Sequence, residues 1–164
     1  MSLYYYHILH FINKSIINIC GSVLQPENEI DEKYYLSERA IAGIIKKKER
    51  MKVEGKGFGA QILNLDKPSY TIPARYFKDG YDALVQYSSD RIRRLTILEL
   101  KRIQTFEDNY ILCGTNKDQI MQIGNAVACN FAYHIAKHIA NILHQLDSPS
   151  IRFSQNLKVV LNWE

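Results

Sequence analysis

The chain has 164 residues, a formal net charge of +4 and a pI near 8.9. That length suits one domain of ordinary size or a fragment of a larger one. Hydrophobic residues make up 46%, which excludes a disordered chain, and 8 Gly with 4 Pro exclude collagen-like or low-complexity sequence.

In chain order, residues 1–24 come first, an interleaving of apolar positions (Leu3, Ile8, Leu9, Phe11, Ile12, Ile16, Ile17) with Tyr4 to Tyr6, His7, His10 and Asn13. Its only early base, Lys14, sits mid-stretch, which argues against a signal peptide. The stretch reads as a helix or strand that packs on something, within an N-terminal appendage over 1–32. Gln25 to Lys33 is a polar connection broken at Pro26. A helix is expected over 37–52, capped by Ser37 and built on Ala40, Ile41, Ile44 and Ile45. Its later part carries Lys46, Lys47, Lys48, Arg50 and Lys52, which suit the negative end of the helix dipole. Gly55, Gly57 and Gly59 end the pattern.

Ile62 to Val85 alternates loosely and reads as short strands with turns at Lys67-Pro68-Ser69 and Lys78-Asp79-Gly80. Pro68 to Gly80 would then be a half-exposed hairpin, and Leu84, Val85 and Tyr87 another short strand. A second helix, 96–105, opens with the capping box Thr96-x-x-Glu99, and Leu95 and Leu100 occupy the positions of a hydrophobic staple. A third, 127–146, carries the stripe Val127, Phe131, Ile135, Ile139, Ile142 and Leu146, and Pro149 stops it. The expected fold is mixed α/β, with short strands in the middle flanked by helices.

Most chemistries find no residues here. Neither the G-x-x-x-x-G-K-[ST] phosphate loop nor G-x-G-x-x-G is present. His134 and His138 lie four apart, but zinc wants three or four ligands, so no metal site is expected. Three cysteines at irregular spacing point to a reduced, intracellular setting, with Cys129 a buried small hydrophobe. No run approaches about 18 uninterrupted apolar residues, so no membrane-spanning helix is expected. Two segments carry more. PSYTIPARYFKDG (Pro68 to Gly80) interleaves Thr71, Arg75 and Lys78 with Tyr70, Tyr76 and Phe77, donors and rings suited to phosphate and base-edge contacts. In Gln122-Ile123-Gly124-Asn125-Ala126-Val127, a Gly-Asn pair opening a helix would offer free backbone amides to a polar ligand group, or simply cap the helix.

Together and in order, these segments are more specific. RRLTILELKRIQTFEDNY (Arg93 to Tyr110), then KDQIMQIGNAV (Lys117 to Val127), resembles motifs IX and X of the DNA cytosine-5 methyltransferases, R-x-L-T-x-x-E-x-x-R-x-Q-x-F-P and Q-x-G-N-x-V. Arg94, Leu95, Thr96, Glu99, Arg102, Gln104 and Phe106 answer to the first, and Gln122, Gly124, Asn125 and Val127 to the second. Upstream, KKKERMKVEGKGFGAQI and Thr71-Ile72 resemble the family's target-recognition region. Ile97, Glu107 and Ala128 stand where the family usually has Pro. Losing Pro from a first helical turn weakens a helix start slightly.

The resemblance implies a division of labour. Residues 33–92 would be the target-recognition region, with Thr71, Arg75, Lys78, Lys46, Lys48 and Arg50 on double-stranded DNA. Residues 93–146 would hold Arg94, Thr96, Glu99 and Arg102 as the architectural joint. Gly124, Asn125 and Val127 would wall part of an S-adenosylmethionine pocket, and the last helix would pack on a methyltransferase domain. Residues 147–164 would be a tail. The chemistry implied is attack of a Cys thiolate on carbon 6 of a flipped cytosine, followed by methylation of carbon 5. That needs a Pro-Cys nucleophile, and none of Cys20, Cys113 and Cys129 follows Pro. A partial methyltransferase is therefore expected, inactive unless a polypeptide carrying Pro-Cys supplies the rest. The alternative is a DNA-binding remnant without methyl transfer.

Overall fold

The computed structural model describes residues 19–55, 60–79 and 81–146. The expectations for residues 1–18 and 147–164 lie outside the described residues. The order is α1 (Cys20–Val23), two short 3-10 turns (Glu27–Glu29 and Glu32–Tyr34), α2 (Glu38–Val53), α3 (Tyr76–Asp79), β1 (Leu84–Gln86), β2 (Ile92–Arg94), α4 (Ile97–Ile103), α5 (Asn116–Asn125) and α6 (Cys129–Leu146). The chain divides between Ala128 and Cys129 into two compact units. Among the described residues no helix is long and apolar enough to cross a membrane.

Local chemistry sets the helix starts. The Ser37 hydroxyl accepts from the Ala40 amide at 3.3 Å and opens α2 as the sequence predicts. At α4 the full capping box forms: the Glu99 amide donates to Thr96 Oγ1 at 3.1 Å, and the Thr96 amide donates to Glu99 Oε2 at 2.8 Å. Two orphan amides of the first turn are thereby satisfied, and Ile97 in place of Pro leaves the start intact. The staple residues Leu95 and Leu100 are both buried.

β1 and β2 pair antiparallel, with Leu84 opposite Arg94, Val85 opposite Arg93 and Gln86 opposite Ile92. Ile62 adds a parallel bridge to Leu84, and Tyr35 an antiparallel bridge to Arg93. Side chains alternate across this ribbon, so both faces carry a core. One face holds Cys20, Leu63, Ile72, Tyr76, Ala83, Val85, Leu95, Leu100 and Ile123. The other holds Ile41, Leu84 and Ile92, with Ile44, Ile62 and Tyr81 packed against them.

Several expectations change. Over the described residues 68–79 the expected hairpin does not form: Pro68 and Pro73 cannot donate to a ladder, and the chain instead runs irregularly into the single turn α3. β2 lies in Arg-Ile-Arg-Arg, whose charge hides a strand both of whose faces are covered. α5 shows only a thin apolar stripe, Ile120 and Ile123, and Gly124 reads as a break although it lies in the last turn. α6 begins at Cys129 rather than Val127, because Ala126 is already extended and closes α5. Cys129 is half-buried, whereas Cys20 is the buried thiol. Residues 19–32 are built into the body: the Cys20 and Gly21 amides donate to the carbonyls of Lys67 and Leu65, and α1 packs on α4.

Candidate nucleic-acid interface

The segment 68–79 is held by two inward side chains four residues apart. Ile72 and Tyr76 are buried, while Thr71, Arg75 and Lys78 are exposed. The Tyr76 phenol makes the deeper anchor. It donates to the Ala83 carbonyl at 2.7 Å and accepts from the Leu95 amide at 2.9 Å, tying the segment to the strand ends before β1 and after β2. Burial pushes the Tyr76 phenol well above its ordinary range, so it remains a donor at any physiological pH. Tyr76→Phe would leave a buried amide and a buried carbonyl short of a partner. We expect a loss of about 1–3 kcal/mol, measured by urea unfolding.

The third hold is a close approach of backbone to backbone. A Cβ on Gly124 would stand 2.5 Å from both Cα and N of Ala74 and 2.7 Å from the Pro73 carbonyl carbon. Glycine at this point of α5 lets the helix touch the segment that displays Thr71 and Arg75. Gly124 and Asn125 therefore close α5 and do not open the next helix, so free amides are not what they offer. Asn125 and Val127 are exposed, Val127 at 60%. Gly124 instead faces the segment.

The joint beneath is ionic. Glu99 is fully buried, and its carboxylate accepts four bonds: from Arg93 Nη1 at 2.7 Å and Nη2 at 2.8 Å, from the Thr96 amide, and from the Gln25 amide at 3.0 Å. Arg93 is equally buried. Its remaining N–H groups donate to the Tyr87 hydroxyl, at 3.2 Å from Nε and 3.1 Å from Nη2, and to the Arg94 carbonyl at 3.0 Å. Burial pulls the guanidinium down, but Glu99 and Tyr87 more than offset it, and it stays charged. Thr96 also donates to Gln25 Oε1 at 2.6 Å. This corrects the expected architectural set. Arg93, not Arg94, is the arginine of the joint, as the R-x-L-T spacing itself indicates.

The rest of the joint braces the loop after α4. Arg102 makes a two-pronged pair with Asp108, donating from Nη2 to Oδ2 at 2.6 Å and from Nε to Oδ1 at 2.9 Å. Lys101, buried, donates to the Asp108 and Tyr110 carbonyls, both at 2.7 Å. Gln104 donates to the Ile123 carbonyl at 3.2 Å and links α4 to α5. Gln25, Tyr87 and Lys101 were missed from sequence, because neither their spacing nor their type marks them.

The basic helix α2 is seated elsewhere, through Ile41 on Leu84 and Ile92. Lys46 and Arg50 are exposed on it, four residues apart, and Lys48 lies within it. Arg50 makes a loose pair with Glu54 at 3.9 Å.

The family model of C-5 cytosine-specific DNA methylases matches residues 9–141. The type II methyltransferase M1.ScrFI of Lactococcus lactis subsp. cremoris is 32% identical over 126 residues, covering 76% of this chain and 32% of that protein. The type II methyltransferase M.SsoII of Shigella sonnei is 34% identical over 124 residues, covering 75% and 32%. The chain thus spans about a third of the length of these relatives. In fold it resembles the S. pombe Dnmt2 methyltransferase, with a TM-score of 0.61 at 14% identity, over 85% of this chain and 46% of that one. The family model spans most of the chain; the chain belongs to the C-5 cytosine-specific DNA methylase family.

Proposed function

We propose that this chain supplies DNA target recognition and part of the S-adenosylmethionine pocket for methylation of cytosine at carbon 5, and that methyl transfer needs a Pro-Cys-bearing half. The observation that carries this reading is the orientation of the segment 68–79. Ile72 and Tyr76 enter the core beside Leu95, Leu100 and Ile123, and Thr71, Arg75 and Lys78 face outward. Lys46, Lys48 and Arg50 would add sequence-independent attraction to the phosphate backbone.

Asn125 and Val127 would line the cofactor pocket, and S-adenosylmethionine when bound supplies the methyl group. The α6 residues Phe131, Ile135, Ile139 and Ile142, exposed at 41–51%, would meet the catalytic half. The thiols here are poorly suited to attack on cytosine. None follows Pro, and burial raises the pKa of the Cys20 thiol, which disfavours the nucleophilic thiolate. The test is reconstitution. Neither half alone should move radiolabelled methyl onto duplex DNA, and an equimolar mixture should. A mixture that stays inactive while an intact relative methylates the same duplex rejects the two-half reading. Retained duplex binding in that mixture would leave only a DNA-binding role.

A further inference from the structure

We propose that Arg94 is a DNA-phosphate contact at the foot of the recognition segment, an inference that rests on the DNA-recognition reading above. The arginines around it are spent within the chain. Arg93 uses all five N–H groups on Glu99, Tyr87 and the Arg94 carbonyl. Arg91 donates to Glu27 at 2.6 Å and lies 3.7 Å from Glu32, and Arg102 is held by Asp108. Arg94 differs. Its Nε is buried without an acceptor, and among the described residues its side chain makes no hydrogen bond or ion pair. What holds it is a ring, with the guanidinium carbon 5.4 Å from the centre of Tyr81.

A buried guanidinium N–H without an acceptor is costly and uncommon in a folded chain. The cost is accounted for if the acceptor arrives with a ligand. Alternation along β2 places Arg94 on the opposite face from Arg93, beside its register partner Leu84. That face is the one on which α2 packs through Ile41, and Tyr81 packs there too. The next residue, Leu95, donates its amide to Tyr76 of the recognition segment. Arg94 therefore lies on the face that α2 covers, one residue from the Leu95 amide that anchors the segment displaying Thr71 and Arg75. A planar guanidinium fork set near an aromatic ring suits a phosphodiester oxygen pair. A guanidinium flanked by other cations on a chain of net charge +4 is better served by a polyanion than by a lone carboxylate.

The test compares the full chain with Arg94→Met and Arg94→Lys, each alone and mixed with the Pro-Cys half. Binding to a fluorescein-labelled duplex is followed across a salt series. Arg94→Met should weaken binding roughly tenfold and equally for every duplex sequence. It should also lower the slope of log K against log salt by about 1, with a thermal midpoint at or above that of the parent. Arg94→Lys should keep the slope and recover part of the affinity. An unchanged slope in Arg94→Met, or a lowered midpoint with unchanged affinity, would make Arg94 a packing residue and overturn the inference. A parent chain that binds no duplex in either setting would instead overturn the DNA-recognition reading, and that failure shows before any variant is made.

Discussion

Glu99→Ala should lower the unfolding free energy by about 3–5 kcal/mol, because it strands the buried Arg93 guanidinium and removes the acceptor of two backbone amides at once. Most domains hold only about 5–15 kcal/mol in total, so the variant should lie near the edge of folding. The geometry predicts more than this single number. Removing both charges as Arg93→Met with Glu99→Leu eliminates the uncompensated ion, and such replacements are often nearly neutral elsewhere. Here they cannot be, since Thr96 N and Gln25 N each lose an acceptor, at 2.8 and 3.0 Å in the parent. The double variant should therefore lose less than the sum of the singles, yet remain about 1–3 kcal/mol below the parent. Urea titrations of the four proteins in the cycle measure this. Additive losses would mean that the pair contributes no coupling and that the cap alone accounts for the burial of Glu99.

Gly124→Ala should destabilise the chain although alanine is the better helix former. The propensity gain is at most about 1 kcal/mol in a helix interior and smaller in the last turn. Against it stands a Cβ placed 2.5 Å from the backbone of Ala74, where no side-chain rotation can relieve the contact. Overpacking of this kind typically costs about 1–3 kcal/mol and is met by a backbone shift. The backbone that must shift carries Thr71 and Arg75. We expect a net loss of about 1–2 kcal/mol and, at temperatures where the variant is still folded, weaker duplex binding. Calorimetry and duplex titration check the two parts separately. A thermal midpoint above the parent's would show that the seam between α5 and the segment opens without strain.

The two effects come from residues whose types were visible in the sequence and whose partners were not. Thr96, Glu99, Leu95 and Leu100 are local: a capping box and a staple act within one turn, so four letters suffice to read them. The same holds for Ser37 at the start of α2 and for the 3.6-residue stripe of α6. The family resemblance likewise rests on order and spacing, which a sequence preserves.

What pairs across the chain was not legible. Gln25 and Glu99 are 74 residues apart, and Tyr76 and Leu95 are 19 apart; no periodicity encodes either contact. β2 was hidden because alternation is lost when an arginine is buried against a carboxylate on one face and another lies against a ring on the opposite one. Gly124 looked like a ligand cradle, since a sequence shows the missing side chain but not what occupies its place. The sequence by itself determined the family, the capped helix and the polar letters of the segment 68–79, all of which depend on neighbours within a few residues. Only the tertiary structure decided which arginine joins the buried pair, which one is left without an acceptor, and against what the glycine packs. Those outcomes depend on distances between segments that folding brings together.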